Sequence, residues 1–138
     1  MSLSLKYPSF DCKTRKIKNT VQIFDNLRKR WLVLTPEEWV RQHVLNYLVV
    51  HKEIAPGYIS IEKEIELNGT QRRYDIVVYH TTLKPWLVIE CKAPFIELNQ
   101  MVLDQALRYN LILNADLVMI TNGVSDYTIN QKGEKVEF

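Results

Sequence analysis

Glycine is scarce, with four in 138 residues. None sits in a GxxxxGK[ST] run, so a P-loop for nucleotide phosphates is excluded and ATP is not an expected partner. Cysteine is scarcer still. Cys12 and Cys91 give no disulfide framework, and with three histidines they show no zinc-type spacing. A reduced, cytoplasmic setting is the simplest expectation. No apolar run approaches the ~18–20 residues that span a bilayer. The N-terminus shows no basic-then-apolar leader pattern, so no membrane role is expected. Internal repeats and Gly/Pro/Ser-rich linkers are also missing, which points to a single domain.

What is present is an ordinary globular composition, 46% hydrophobic and 25% charged. The net charge of +2 conceals an asymmetry. Residues 1–34 carry eight Lys/Arg and two Asp, and residues 35–138 carry ten Lys/Arg and fourteen Asp/Glu. The expected layout is therefore a basic N-terminal arm, 1–34, packed on an acidic core domain, 35–138. Arg28, Lys29 and Arg30 form the densest cationic cluster. Basic arms often contact phosphate backbones, although solvated charge near a terminus is an equal reading.

Thr35-Pro36-Glu37-Glu38 marks a helix start, with Thr35 as cap, Pro36 in the first turn and Glu38 completing a capping box. Val40, Val44, Leu45 and Leu48 form an apolar stripe that carries the helix to about His51. Residues 58–92 read as a three-stranded antiparallel meander. Ile59, Ile61, Ile65 and Leu67 share one face of its first strand, Glu62, Glu64 and Glu66 the other, and Asn68-Gly69 makes a two-residue turn. A second helix follows from about Asn99 to Leu113. A fourth strand covers 116–121, ended by Asn122-Gly123, with edge strands expected around Lys132-Gly133.

The chemistry concentrates in the second hairpin of the meander. A four-residue loop at 81–84 sets residue 80 against 85, and so Asp75 against Glu90. Opposed side chains on one face have Cβ atoms about 4.5–5.5 Å apart. Lys92, two residues on, projects from the same face, whereas Cys91 points to the other and is not a candidate nucleophile. Charges among core strands are rare unless paired or metal-bound. A hard ion such as Mg²⁺ or Mn²⁺ takes oxygen ligands from a few carboxylates and keeps waters. Asp75 and Glu90 can supply two ligands, and the main-chain carbonyl of Cys91 a third. The alternative is a buried ion-pair network without metal, a costly arrangement for structure alone. Gln105 and Tyr109, four apart, share one face of the second helix.

Asp75 followed by Glu90-Cys91-Lys92 resembles the PD-(D/E)xK nuclease signature, and the element order αβββαβ is that superfamily's core. More closely, Leu34-Thr35-Pro36-Glu37-Glu38-Trp39-Val40-Arg41-Gln42, Glu90-Cys91-Lys92-Ala93-Pro94, Asp104-Gln105-Ala106-Leu107-Arg108-Tyr109-Asn110 and Thr121-Asn122-Gly123 resemble the N-terminal nuclease domain of type I restriction enzyme R subunits. The resemblance spans roughly residues 24–124. It implies an α/β, restriction-endonuclease-like fold, a mixed sheet with an antiparallel meander flanked by helices. It implies Mg²⁺-dependent hydrolysis of DNA phosphodiesters, with Lys92 orienting or deprotonating the attacking water and Gln105 and Tyr109 supporting it. It also makes Glu37 or Glu38 a candidate further metal ligand. Arg28, Lys29, Arg30, Arg41, Arg73 and Arg108 are candidate DNA contacts. The expected form is a stand-alone domain without the helicase motor, working with DNA as a homodimer or with a partner subunit. The alternative is a non-catalytic nucleic-acid-binding or complex-assembly module on the same fold.

Overall fold

The computed structural model describes residues 4–62 and 64–138, with backbone alone at 64, 65 and 67. Among the described residues, ten strands and two α-helices form a mixed α/β architecture. Strands β1 (Thr14–Ile17), β2 (Thr20–Asp25) and β3 (Arg30–Val33) make a three-stranded antiparallel sheet. The basic segment is thus largely a β-meander, and β1 was not foreseen. Its exposed TRKI sequence has no apolar periodicity to announce a strand. It is held instead by its ladder to β2 and by a Lys18-Asn19 turn with both φ positive.

Helix α1 (Pro36–Asn46) starts as the capping residues require, with the Thr35 side chain accepting from the Glu38 N–H at 3.0 Å. It runs without a break into a π-helical turn, Tyr47–His51, which completes the expected span. Val40, Val44, Leu45 and Leu48 are all buried.

The meander exists but is divided. Strand β4 (Ile59–Ile61) belongs to the main sheet, and β5 (Glu64–Leu67) does not. Likewise β6 (Thr70–Arg73) gives way to β7 (Ile76–Tyr79) across Tyr74-Asp75. Glu62, with φ 53°, sits at the first break, and its N–H donates to the Asp75 carbonyl at the second. The outer halves β5 and β6 form a separate ribbon closed by Asn68-Gly69, both at positive φ as a type I′ turn demands. The faces expected for the Glu64, Ile65 and Leu67 side chains lie outside the described residues.

Strand β8 (Pro85–Cys91) pairs with β7 in the expected register, Ile76 with Ile89 and Val77 with Val88. A bulge at Val78/Tyr79 shifts the last rung to Tyr79–Pro85. Helix α2 (Gln100–Leu113) then crosses over to β9 (Leu117–Thr121), parallel to β8, and β10 (Asp126–Asn130) closes the edge. The five-stranded order is β10-β9-β8-β7-β4.

Alternation along β7 and β8 builds two cores. Ile76, Val78, Leu87, Ile89 and Cys91 pack with Val40, Val44, Leu45 and Leu48 of α1. Val77 and Val88 pack with Ala106 and Tyr109 of α2. The helices therefore cover opposite faces of the sheet, and β8 lies at its centre. Among the described residues no helix is long and apolar enough to cross a membrane.

Candidate active site

The break between β6 and β7 is what frees Asp75. Just outside the ladder, its carboxylate turns across the strand, and Oδ2 accepts the Cys91 N–H at 2.7 Å. This places it beside Glu90, as the hairpin register requires. Oδ1 accepts from Arg41 Nη2 at 2.6 Å. Arg41 reaches from α1, where it also pairs with Glu37 at 3.2 Å and with Glu38. The site therefore joins α1, the β7 entrance and the end of β8.

Glu90 is the electrostatically stressed member. Burial, then the negative charge of Asp75, pushes its pKa from 4.5 up to about 8, against the opposing pull of Lys92 and a backbone hydrogen bond. Its Oε1 is buried without a hydrogen-bond partner. Glu37 is raised too, first by burial and then by Asp75, while Arg41 and Lys92 act in the other direction. Arg41 is lowered by burial but raised overall by Asp75 and Glu38. The Cys91 thiol faces the α1-side core and burial raises its pKa, as the strand alternation implied. Lys92 is partly buried, and its N–H is fixed by the Thr121 carbonyl of β9 at 2.8 Å.

On α2, Gln105 Nε2 donates to the Tyr109 hydroxyl at 3.0 Å, so the two do act as a pair. Tyr109 in turn meets Tyr74 edge-on, with ring centroids 5.2 Å apart. Tyr74 is fully buried, its hydroxyl has no hydrogen-bond partner, and its pKa is raised by burial and then by Glu90. Sequence reasoning missed Tyr74. Its place directly before Asp75 was the one signal the sequence offered, since the strand break that turns its ring inward is visible only in the structure.

The cationic candidates divide. Arg41 is buried among carboxylates. Arg28 pairs with Asp25 at 2.8 Å and with Glu62 at 2.7 Å, and so ties the β2–β3 turn to the neighbourhood of Asp75. Both are committed to internal ion pairs rather than offered to a phosphate. Lys29, Arg30, Arg73 and Arg108 are exposed. Glu38 is mainly a structural hub: its N–H donates to the Thr35 cap, and its carboxylate accepts from Arg41 and Gln42. Glu37 is coupled to the other carboxylates: the charge of Asp75 raises its pKa, and its own charge raises that of Glu90.

A family model for the type I restriction enzyme R protein N terminus (HSDR_N) matches residues 36–138. The chain belongs to this family. The HSDR_N match opens at the first residue of α1 and takes in every charged group of the site, together with Gln105 and Tyr109. The β1–β3 sheet lies before it. No curated protein matches the chain.

Among the described residues, no group of three or more His, Cys, Asp and Glu side chains is arranged to hold a metal ion. The donor chemistry at β8 still fits a magnesium-like ion, which takes only one or two carboxylates and keeps several waters. Asp75 and Glu90 are two such carboxylates, and the orphaned, buried Glu90 Oε1 is an oxygen that a cation would satisfy.

Proposed function

We propose that this HSDR_N domain is a metal-dependent nuclease hydrolysing DNA phosphodiester bonds, with α1, the divided meander, α2 and β9 forming a restriction-endonuclease-like αβββαβ core. The observation that carries the reading is Glu90. A buried carboxylate with an unpartnered oxygen, beside Asp75 and two residues from Lys92, is a costly arrangement for structure alone.

Asp75 and Glu90, with the Cys91 carbonyl, would hold Mg²⁺ or Mn²⁺, and Glu37 stands near enough to contribute charge. When bound, the ion supplies Lewis acidity that activates water and offsets charge on the phosphate. Lys92 orients the attacking water and stabilises the negative charge that grows on the phosphate oxygens. Arg41 holds Asp75 in place. The hydrogen-bonded pair Gln105–Tyr109 positions Lys92 or the DNA backbone.

One observation favours a second reading, a DNA-binding or assembly module that does not cut. Both Asp75 oxygens are already engaged, by Arg41 and by the Cys91 N–H. Nicking of supercoiled plasmid in Mg²⁺ or Mn²⁺ tests the two readings. Cleavage lost in EDTA and in Lys92→Ala supports the nuclease and its site. Cleavage that survives Lys92→Ala refutes the residue assignment. Salt-sensitive DNA binding without cleavage supports the module.

A further inference from the structure

The sheet β1–β3 precedes the family match and has two unlike faces. Ile23 and Asp25 point inward and are fully buried. The cross-strand partners on the other face, Arg15–Gln22–Val33 and Phe24–Trp31, point outward. On that outer face the Arg15 guanidinium lies 4.2 Å from the Trp31 ring centroid and is braced by Gln22 at 2.7 Å. Lys13 lies over Phe24 at 5.7 Å, and Phe24 meets Trp31 edge-on at 5.3 Å. Two adjacent aromatic rings, each with a cation over it, thus stand half-buried on a face of strongly basic sequence.

We propose that this outer face is a binding platform for single-stranded nucleic acid. Stacking platforms for single strands combine a basic surface that follows the backbone with aromatic rings that take the bases. Here Trp31 together with the Arg15 guanidinium held over its ring offers the stacking surface, and Lys13 and Arg15 supply charge for flanking phosphates. The occupant follows from charge and location. The 1–34 segment has six more cationic than anionic side chains, which suits a polyanion. The Phe24–Trp31 rung immediately precedes the Asp25–Arg30 turn, where Lys29 and Arg30 are exposed. In that turn Arg28 grips Glu62, whose own N–H bonds the Asp75 carbonyl. The Phe24–Trp31 end of the platform therefore adjoins the turn that Arg28 ties, through Glu62, to the backbone of Asp75. The proposal concerns a surface separate from the site and stands without hydrolysis.

The experiment is titration of the full chain with fluorescein-labelled (dT)15 in EDTA, read by anisotropy at several salt concentrations, with a blunt duplex of equal length as competitor. The expected result is binding whose log affinity falls with log salt at a slope of about −2, from about three phosphate contacts at ~0.7 each. Trp31→Ala and the double variant Lys13→Glu/Arg15→Glu each weaken it on the order of tenfold, with an unchanged circular dichroism spectrum. The double variant changes two exposed residues, one on the edge strand β1 and one just before it, so it keeps the test open if Trp31→Ala fails to fold. No binding by the wild type, wild-type affinity in the double variant, or a duplex that competes as well as (dT)15 would overturn the proposal. Because EDTA stops any metal-dependent cleavage, a failed plasmid assay and a failed platform remain separate results.

Discussion

Arg41 Nη2 and Asp75 Oδ1 are 2.6 Å apart, and the same guanidinium also holds Glu37 and Glu38. The first helix is thereby tied to the entrance of β7 through one side chain, itself 6% exposed. Removing one partner of a buried ion pair leaves the others uncompensated, at a cost of about 3–5 kcal/mol. Arg41→Ala should therefore lower the melting temperature strongly, whereas exposed Arg108→Ala should change stability by no more than about 0.5 kcal/mol. Thermal melts of both variants check this. A wild-type melt for Arg41→Ala would show that these ion pairs add no net stability.

Glu90 gives the domain a pH-dependent weakness. Unfolded, it ionises near 4.5, and in the fold near 8. Between those values the unfolded chain has lost the proton that the folded chain still holds. Stability therefore falls as pH rises from about 4.5 to 8 and stays reduced above that. Glu90→Gln removes the effect. In EDTA at pH 9 the variant should be more stable than wild type, by up to about 5 kcal/mol, and at pH 4 the two should match. Urea unfolding at both pH values is the measurement, and equal stabilities at pH 9 would refute the assignment.

Tyr74 carries a buried hydroxyl without a partner, and such a group costs about 1–3 kcal/mol. Tyr74→Phe keeps the ring and its edge contact with Tyr109, so its melting temperature should equal or exceed that of the wild type. Its plasmid cleavage should fall several-fold, because the hydroxyl is close enough for Glu90 to raise its pKa. A variant that loses stability instead would show that the hydroxyl has a structural partner.

Two glycines separate backbone strain from crowding. A Cβ on Gly123 would stand 2.8 Å from Leu5 Cδ2, at φ +85°, while one on Gly69, at φ +74°, would meet nothing within 4 Å. Gly69→Ala should cost about 1 kcal/mol through backbone strain alone. Gly123→Ala should cost about 1–3 kcal/mol more through overpacking. Denaturant midpoints of the pair measure the difference.

The parts of the fold that could be read from sequence were those set by local rules. The Thr35 cap and the Asn68-Gly69 turn each depend on a few adjacent residues, and each fell where expected. The 81–84 loop closes one residue early: the His80 N–H bonds the Lys84 carbonyl and Tyr79, not His80, faces Pro85, because a bulge at Val78/Tyr79 takes up the difference. The pairing of Gln105 with Tyr109 follows from helical spacing in the same way. What could not be read depended on contacts distant in sequence. Arg41 has the same side chain whether it faces solvent or Asp75, thirty-four residues away, and only the packed sheet decides which. β1 lacks an apolar pattern because it is an exposed edge strand. The splitting of the meander came from Glu62 in a left-handed conformation, a choice that a Glu at an otherwise alternating position does not advertise.

The hydrogen bond from the Lys92 N–H to the Thr121 carbonyl has a consequence for anyone trimming this domain. A peptide spanning 75–92 contains Asp75, Glu90 and Lys92 in full, yet holds only one neighbour of β8. The other neighbour, β9, arrives after the α2 crossover, and it is β9 that anchors the backbone of Lys92. The charged trio is therefore not a portable cassette. A graft that transfers the hairpin alone carries the residues and leaves behind the frame that aims them, and any transplant that keeps this frame includes at least α1 through β9.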